Sequence, residues 1–249
     1  MGLLDGKVVL VTGSSRNLGA GTAKCLAQEG ATLAINYLKN KDKAEEVAES
    51  IRSGGGTASV WQCDVTDTPA VEKMIDGIVS EHGRIDAVIN NATAGGAKGW
   101  SPDNWPSFIA AYEANMLGPI NTMHFALPHM KKQGGGRIVN IIAQAYLEAN
   151  PNCAHSYMAA KAALVTFTRV LVAELGPHNI TINCLSPGWT RTERMPLDMD
   201  EWIKTTPLRR VPEIDDVGNV CVFLLSDLAK HISGCFIPAD GGRIPQLGA

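Results

Sequence analysis

Two residues past the middle of the chain are placed to move a proton. Tyr157 and Lys161 are four apart in Tyr157-Met-Ala-Ala-Lys161, at the head of a long apolar run, AALVTFTRVLVAEL, that predicts a helix. Four-residue spacing puts two helical side chains on one face, one turn apart. An ammonium beside a phenol favours the phenolate and makes the phenol a better acid near neutral pH. That is the proton donor a carbonyl reduction needs. Such pairs are also common on helix surfaces, so the assignment depends on what the rest of the chain builds around this one.

The stretch ahead of the pair, GRIVNII, is an apolar, β-branched run behind a glycine cluster and predicts a buried strand over 137–142. Near the N-terminus, Thr12-Gly13-Ser14-Ser15-Arg16-Asn17-Leu18-Gly19 joins a predicted strand over 7–12 to a predicted helix over 18–28. Small residues in that place let backbone N–H groups at the helix start meet a phosphate. Asn17 tolerates the left-handed conformation that such a turn demands.

Further strands are predicted over 32–36, 57–63, 85–90, 180–185 and 235–238, making seven in all. Helices fall over 41–52, 71–81, 103–132 and 213–225. Regular strand–helix alternation with apolar strands means a parallel sheet covered on both faces. There is no repeat and no linker, so the expectation is one α/β domain over residues 1–249, doubly wound.

The 249 residues are 45% hydrophobic and 19% charged, with a net charge of −3, which supplies a sizeable core and no basic footprint for nucleic acid. No apolar run approaches the roughly 18 residues of a membrane span, and no segment has signal-peptide form. Six scattered cysteines, with no C-x-x-C pair and no histidine at ligand spacing, predict reduced thiols, no metal site and a cytoplasmic protein.

In these motifs the sequence resembles the short-chain dehydrogenase/reductase family, whose turn reads T-G-x-x-x-G-x-G; Asn17 stands at its second glycine. Asp64-Val65 is similar to the family's adenine-contacting pair. Asn90-Asn91-Ala92 resembles N-N-A-G, with Thr93 in place of the glycine. Asn115, in Glu113-Ala-Asn-Met-Leu-Gly118, matches the asparagine that holds a water near the catalytic lysine. Asn183-Cys-Leu-Ser-Pro187-Gly188-Trp-Thr-Arg-Thr192, Pro207-Leu-Arg-Arg and Asp240-Gly241-Gly242 match the later signatures. The resemblance implies a Rossmann-type fold and a nicotinamide cofactor. Its binding residues would be Gly13, Ser15, Arg16, Asn17, Leu18, Gly19, Asn36, Tyr37, Asp64, Val65, Asn91, Ala92, Tyr157, Lys161, Pro187, Gly188, Thr190 and Thr192. Tyr157 would be the acid, Lys161 would lower its pKa and bind the ribose, and Asn115 would hold a proton-relay water.

One family residue is absent. The serine that polarises the substrate carbonyl falls at Ala143 by counting along the strand and at Gln144 by counting back thirteen from Tyr157. Ser156 faces elsewhere on the helix and does not replace it. Gln144 is the candidate replacement donor, with Tyr146 and His155 behind it.

The second predicted strand ends Ala34-Ile-Asn-Tyr-Leu-Lys39 with no acid until Asp42, while Arg16 and Lys39 can face a 2′-phosphate. NADP(H) is therefore expected. The substrate would be a small carbonyl or alcohol, held by walls at 94–100 and 144–153 and a lid over about 193–206. The absent serine leaves two alternatives: a cofactor-binding member without redox turnover, and a dehydratase or isomerase. The nearly all-round apolar helix after Tyr157 predicts a homo-oligomer, a tetramer or a dimer.

Overall fold

In the computed structural model, residues 2–96, 98–99, 101–143, 154–193 and 199–243 are described. They form β1 (Val8–Val11), α1 (Asn17–Gln28), β2 (Thr32–Tyr37), α2 (Lys41–Ser53), β3 (Thr57–Gln62), α3 (Thr68–His82) and β4 (Ala87–Asn90). Then come α4 (Trp105–Tyr112), α5 (Gly118–Lys132), β5 (Gly136–Ile141), α6 (His155–Leu175), β6 (Ile180–Pro187), α7 (Asp200–Thr205), α8 (Ile214–Leu225) and β7 (Phe236–Ala239).

The seven strands make one parallel sheet in the order β3-β2-β1-β4-β5-β6-β7. Successive side chains of a strand point to opposite faces, and the sheet uses both. Val9, Val11, Ile35, Ile89 and Val139 pack with α1, α2 and α8. Val8, Leu10, Val88, Ile138 and Ile182 pack with α3, α5 and α6. This is why the strands read as unbroken apolar runs rather than alternating ones. Each such side chain contributes about 1.5–3 kcal/mol on burial. It is the single-domain, doubly wound fold that the sequence predicts.

Strand order reverses between β1 and β4, and a crevice opens beyond their carboxyl ends. The two strands are tied there by side chains. The Thr12 hydroxyl accepts from the amides of Asn91 and Ala92, both at 2.9 Å, and Asn91 Nδ2 donates to the Thr12 carbonyl at 2.9 Å.

Two elements depart from the sequence reading. The helix predicted over 103–132 is interrupted by a π-helical turn, Glu113–Leu117, between α4 and α5. Pro119 lies two residues beyond it and has no N–H to give the Asn115 carbonyl, which removes one of the bonds that a regular α-helix would make here. The short α7 was not anticipated. It has six residues, and no apolar periodicity is readable over so few.

Among the described residues, no helix is long and apolar enough to cross a membrane, and no cluster of metal-ligating side chains occurs. Cys25, Cys63, Cys184, Cys221 and Cys235 are free thiols; Cys153 lies outside the described residues.

Candidate active site

Above the crevice lies a cavity of about 1230 Å³. A pocket for one small ligand measures roughly 300–1,000 Å³, so this one has room for two bound molecules. Its floor is the turn after β1, where Gly13, Ser15, Arg16, Asn17, Leu18 and Gly19 all line it. Asn17 has φ 51, in the left-handed region, where asparagine replaces glycine at little cost. Gly13 has φ 62, and a Cβ there would lie 2.9 Å from Ala92 Cα. The turn can therefore press against β4 and leave its concave side open. The Oδ1 of Asn17 is buried without a hydrogen-bond partner. Backbone N–H groups at the start of α1, with no side chain capping them, fit the polar middle of a dinucleotide, while the Asn17 oxygen is an acceptor suited to a donor such as a hydroxyl.

Tyr37, Asp64, Val65, Asn91 and Ala92 line the same cavity, together with Lys39. Asp64 Oδ1 accepts from the amide and hydroxyl of Thr66, at 2.9 and 2.8 Å. Asn36 also borders the cavity, yet its side chain is engaged inward. Its Oδ1 accepts from the Gly13 amide at 3.0 Å and its Nδ2 donates to the Cys63 carbonyl at 3.1 Å. It is 2% exposed. Asn36 thus supports the turn through its side chain while still bordering the cavity. An asparagine is suited to that work because it offers an acceptor and two donors from one group.

At the far end stand Tyr157, Lys161, Pro187, Gly188, Thr190 and Thr192. The Lys161 ammonium sits 5.7 Å from the centre of the Tyr157 ring, as the four-residue spacing requires. Lys161 is 2% exposed and donates to the Ile141 carbonyl at 2.7 Å. Burial pulls its pKa down to about 8, although the adjoining Cys184 thiol opposes the change. At pH 7 the ammonium still carries its charge most of the time.

Asn115 lies behind this pair in the π-helical turn, fully buried. Its Nδ2 donates to the carbonyls of Ala94 and Ala111, both at 2.7 Å, and its Oδ1 accepts from the Thr93 hydroxyl at 2.6 Å. Thr93, the departure from N-N-A-G, thereby acquires a purpose that the sequence did not disclose. Ala143 follows β5 and lines the cavity. Gln144 and Tyr146 lie outside the described residues. Ser156 is 1% exposed and does not line this cavity, in keeping with its helix face. His155 borders a separate pocket with Trp105 and Phe108. Lys98 lines the cavity within the wall expected over 94–100, and Trp189, passed over in the sequence, lines it too; its position between Gly188 and Thr190 was a usable signal.

Comparison with known proteins agrees with this architecture. The family profile described as Enoyl-(Acyl carrier protein) reductase matches residues 13–243. The 3-oxoacyl-[acyl-carrier-protein] reductase of Staphylococcus epidermidis is 34% identical over 95% of this chain and 98% of its own. The 7alpha-hydroxysteroid dehydrogenase of Escherichia coli is 32% identical over 98% and 96%. The structure of a 7 alpha-hydroxysteroid dehydrogenase complexed with NADH and 7-oxo glycochenodeoxycholic acid superposes with a TM-score of 0.90, at 31% identity over 96% of this chain and 94% of that one. A short-chain dehydrogenase/reductase from Serratia marcescens gives a TM-score of 0.87, at 31% identity over 97% and 99%. These relatives are oxidoreductases, and the chain belongs to the short-chain dehydrogenase/reductase family.

Proposed function

We propose that the protein interconverts a carbonyl compound and an alcohol, with NADP(H) as its cofactor. The observation that carries this reading is the buried Lys161 ammonium, 5.7 Å from the Tyr157 ring, in the cavity that also contains the turn after β1. When bound, the nicotinamide supplies or accepts the hydride.

The chain's own residues handle the proton. Tyr157 gives it to the substrate oxygen in reduction and takes it back in oxidation. The charged Lys161 stabilises the tyrosinate left behind. The Asn115 side chain is spent on Ala94, Ala111 and Thr93. What it has to offer a relay water is its main-chain carbonyl, facing a proline that cannot donate to it. Thr190 and Thr192 line the end at which the reacting ring belongs, with hydroxyls to orient it.

For the choice of cofactor, β2 ends at Tyr37 with Leu38 and Lys39 next, and Lys39 and Arg16 both line the cavity. Neither an aspartate nor a glutamate stands there to take ribose hydroxyls, and two cations are available for a 2′-phosphate. Names among the relatives that describe reduction of oxoacyl groups and dehydrogenation of hydroxysteroids support carbonyl–alcohol chemistry.

The test is NADPH oxidation against a panel of ketones, β-ketoesters and quinones, repeated with NADH. Turnover that needs Tyr157 and Lys161, with higher kcat/KM for NADPH and loss of that preference in Arg16→Ala, is expected. Equal or better efficiency with NADH, unchanged in Arg16→Ala, overturns the cofactor assignment. No turnover with any substrate, despite NADPH binding, favours a binding protein or a non-redox enzyme on the same scaffold.

A further inference from the structure

The walls of the cavity at its reacting end are unevenly built. Ala94, Ala143, Ala154 and Met158 contribute small or flexible apolar surface. Facing into the same space are two indoles, Trp189 and Trp202. Their ring centroids are 4.8 Å apart with the planes tilted by 30°. Trp189 remains 42% exposed, although an indole is one of the largest apolar groups a chain can bury.

Neither ring is loosely held. Trp189 follows Gly188, whose amide donates to the Ala239 carbonyl at 2.9 Å. A Cβ on Gly188 would lie 2.9 Å from Asp240 Cα, so the backbone bearing Trp189 is packed directly on the chain after β7. Trp202 is on α7, and the Arg243 guanidinium stands 3.9 Å from the centre of its ring. Arg243 Nη1 also donates to the Thr205 hydroxyl at 2.6 Å, one turn further along α7. The cation–π contact and this hydrogen bond restrict the guanidinium and the indole together. Fixed aromatic surface left partly bare and turned into a cavity is surface kept for a ligand.

We infer that Trp189 and Trp202 form the wall against which the substrate packs, and that the substrate is a ketone or secondary alcohol carried on an apolar ring system. This rests on the carbonyl–alcohol reading above. Trp189 lies between Gly188 and Thr190, both at the reacting end, so a flat ring lying on it brings a ring-borne carbonyl towards Tyr157. A small acyclic ketone covers too little of the two indoles to gain from them.

The experiment compares α-tetralone with 2-butanone in steady-state kinetics with NADPH. In the unmodified enzyme, kcat/KM is expected to be at least about tenfold higher for α-tetralone. Trp189→Ala and Trp202→Ala should each lower the α-tetralone value about tenfold, through KM, and change that for 2-butanone less than about twofold. Trp189→Phe, which keeps an aromatic face, should retain most of the preference. Equal losses for both ketones, or no preference in the unmodified enzyme, overturn the inference.

A binding measurement separates this inference from the function it rests on. α-Tetralone is titrated calorimetrically into Tyr157→Phe protein loaded with NADPH, with and without Trp189→Ala. Binding that Trp189→Ala abolishes supports the aromatic wall even if no ketone is turned over, and then the carbonyl–alcohol reading fails alone. Absence of binding, or binding unaffected by Trp189→Ala, overturns the wall whatever the turnover.

Discussion

The ammonium of Lys161 donates to the main-chain carbonyl of Ile141 at 2.7 Å, fastening α6 to the end of β5. A charge placed there is costly, and the cost is visible in the lowering of its pKa from 10.5 to about 8.

That shift makes stability depend on pH. Below about pH 8 both folded and unfolded chains carry the proton, and the full penalty, roughly 3 kcal/mol, is present. Between about 8 and 10.5 the unfolded chain binds a proton that the folded one does not, so stability from this group rises with pH. Lys161→Met removes the penalty and leaves the Ile141 carbonyl unsatisfied, which costs about 1 kcal/mol or more. At pH 7 the variant without cofactor should be more stable by about 1–2 kcal/mol; as pH rises from 8 the advantage should shrink, vanish before pH 10.5 and then reverse by up to about 1 kcal/mol, the cost of the unsatisfied carbonyl, while activity is lost at every pH. Denaturant unfolding across this range checks it.

A second tie holds α6 two turns further on. Asn140 Nδ2 donates to the Thr168 hydroxyl at 2.9 Å, and Asn90 Nδ2 donates to Asn140 Oδ1 at 2.7 Å. Thr168 is on the same helix face as Lys161, seven residues away. Thr168→Val leaves the buried Asn140 amide without its acceptor, which should cost about 1–3 kcal/mol. Because the tie sets the height of α6, kcat should fall several-fold with little change in KM. Thr168→Ser should restore both. Unfolding curves and kinetics on the two variants decide it.

If the protein is a reductase, something must stabilise charge on the substrate oxygen. Loss of one such donor typically costs about 10²–10³ in rate. Gln144→Ala should lower kcat with KM nearly unchanged, the signature of a contact made in the transition state. Ala143→Ser should raise kcat if the count along the strand places the family serine, and leave it unchanged if the count back from Tyr157 does; Ala143 lines the cavity two residues after β5. If Tyr157→Phe stays active and Gln144→Ala has no effect, the chemistry is a different one.

Val170 on α6 is 69% exposed and Leu117 at the end of the π-helical turn is 42% exposed, with Phe167 and Leu171 half-buried. The oligomer expected from the apolar helix would cover this surface. Light scattering at micromolar concentration should give four times the 26.5 kDa of one chain, and Val170→Glu should shift it to a smaller species. A single-chain mass for the unmodified protein contradicts the expectation.

The sequence by itself determined the sheet. Seven apolar runs separated by helical segments leave few arrangements that bury every strand on both faces, and local periodicity is enough to read them. It also placed Tyr157 and Lys161 together, because four-residue spacing on a helix is local geometry. What depends on residues far apart in the chain was decided only by the tertiary structure. Thr93 meets Asn115 across 22 positions and Asn36 reaches Gly13 across 23. Neither partner is implied by the spacing, since each pairing depends on how β2, β4 and the π-helical turn converge at the crevice. Trp189, Trp202 and Arg243 likewise come together only because the chain after β7 folds back over α7. Hydrogen bonds and ring contacts are set within a few ångströms, and only the packed elements bring distant residues that close.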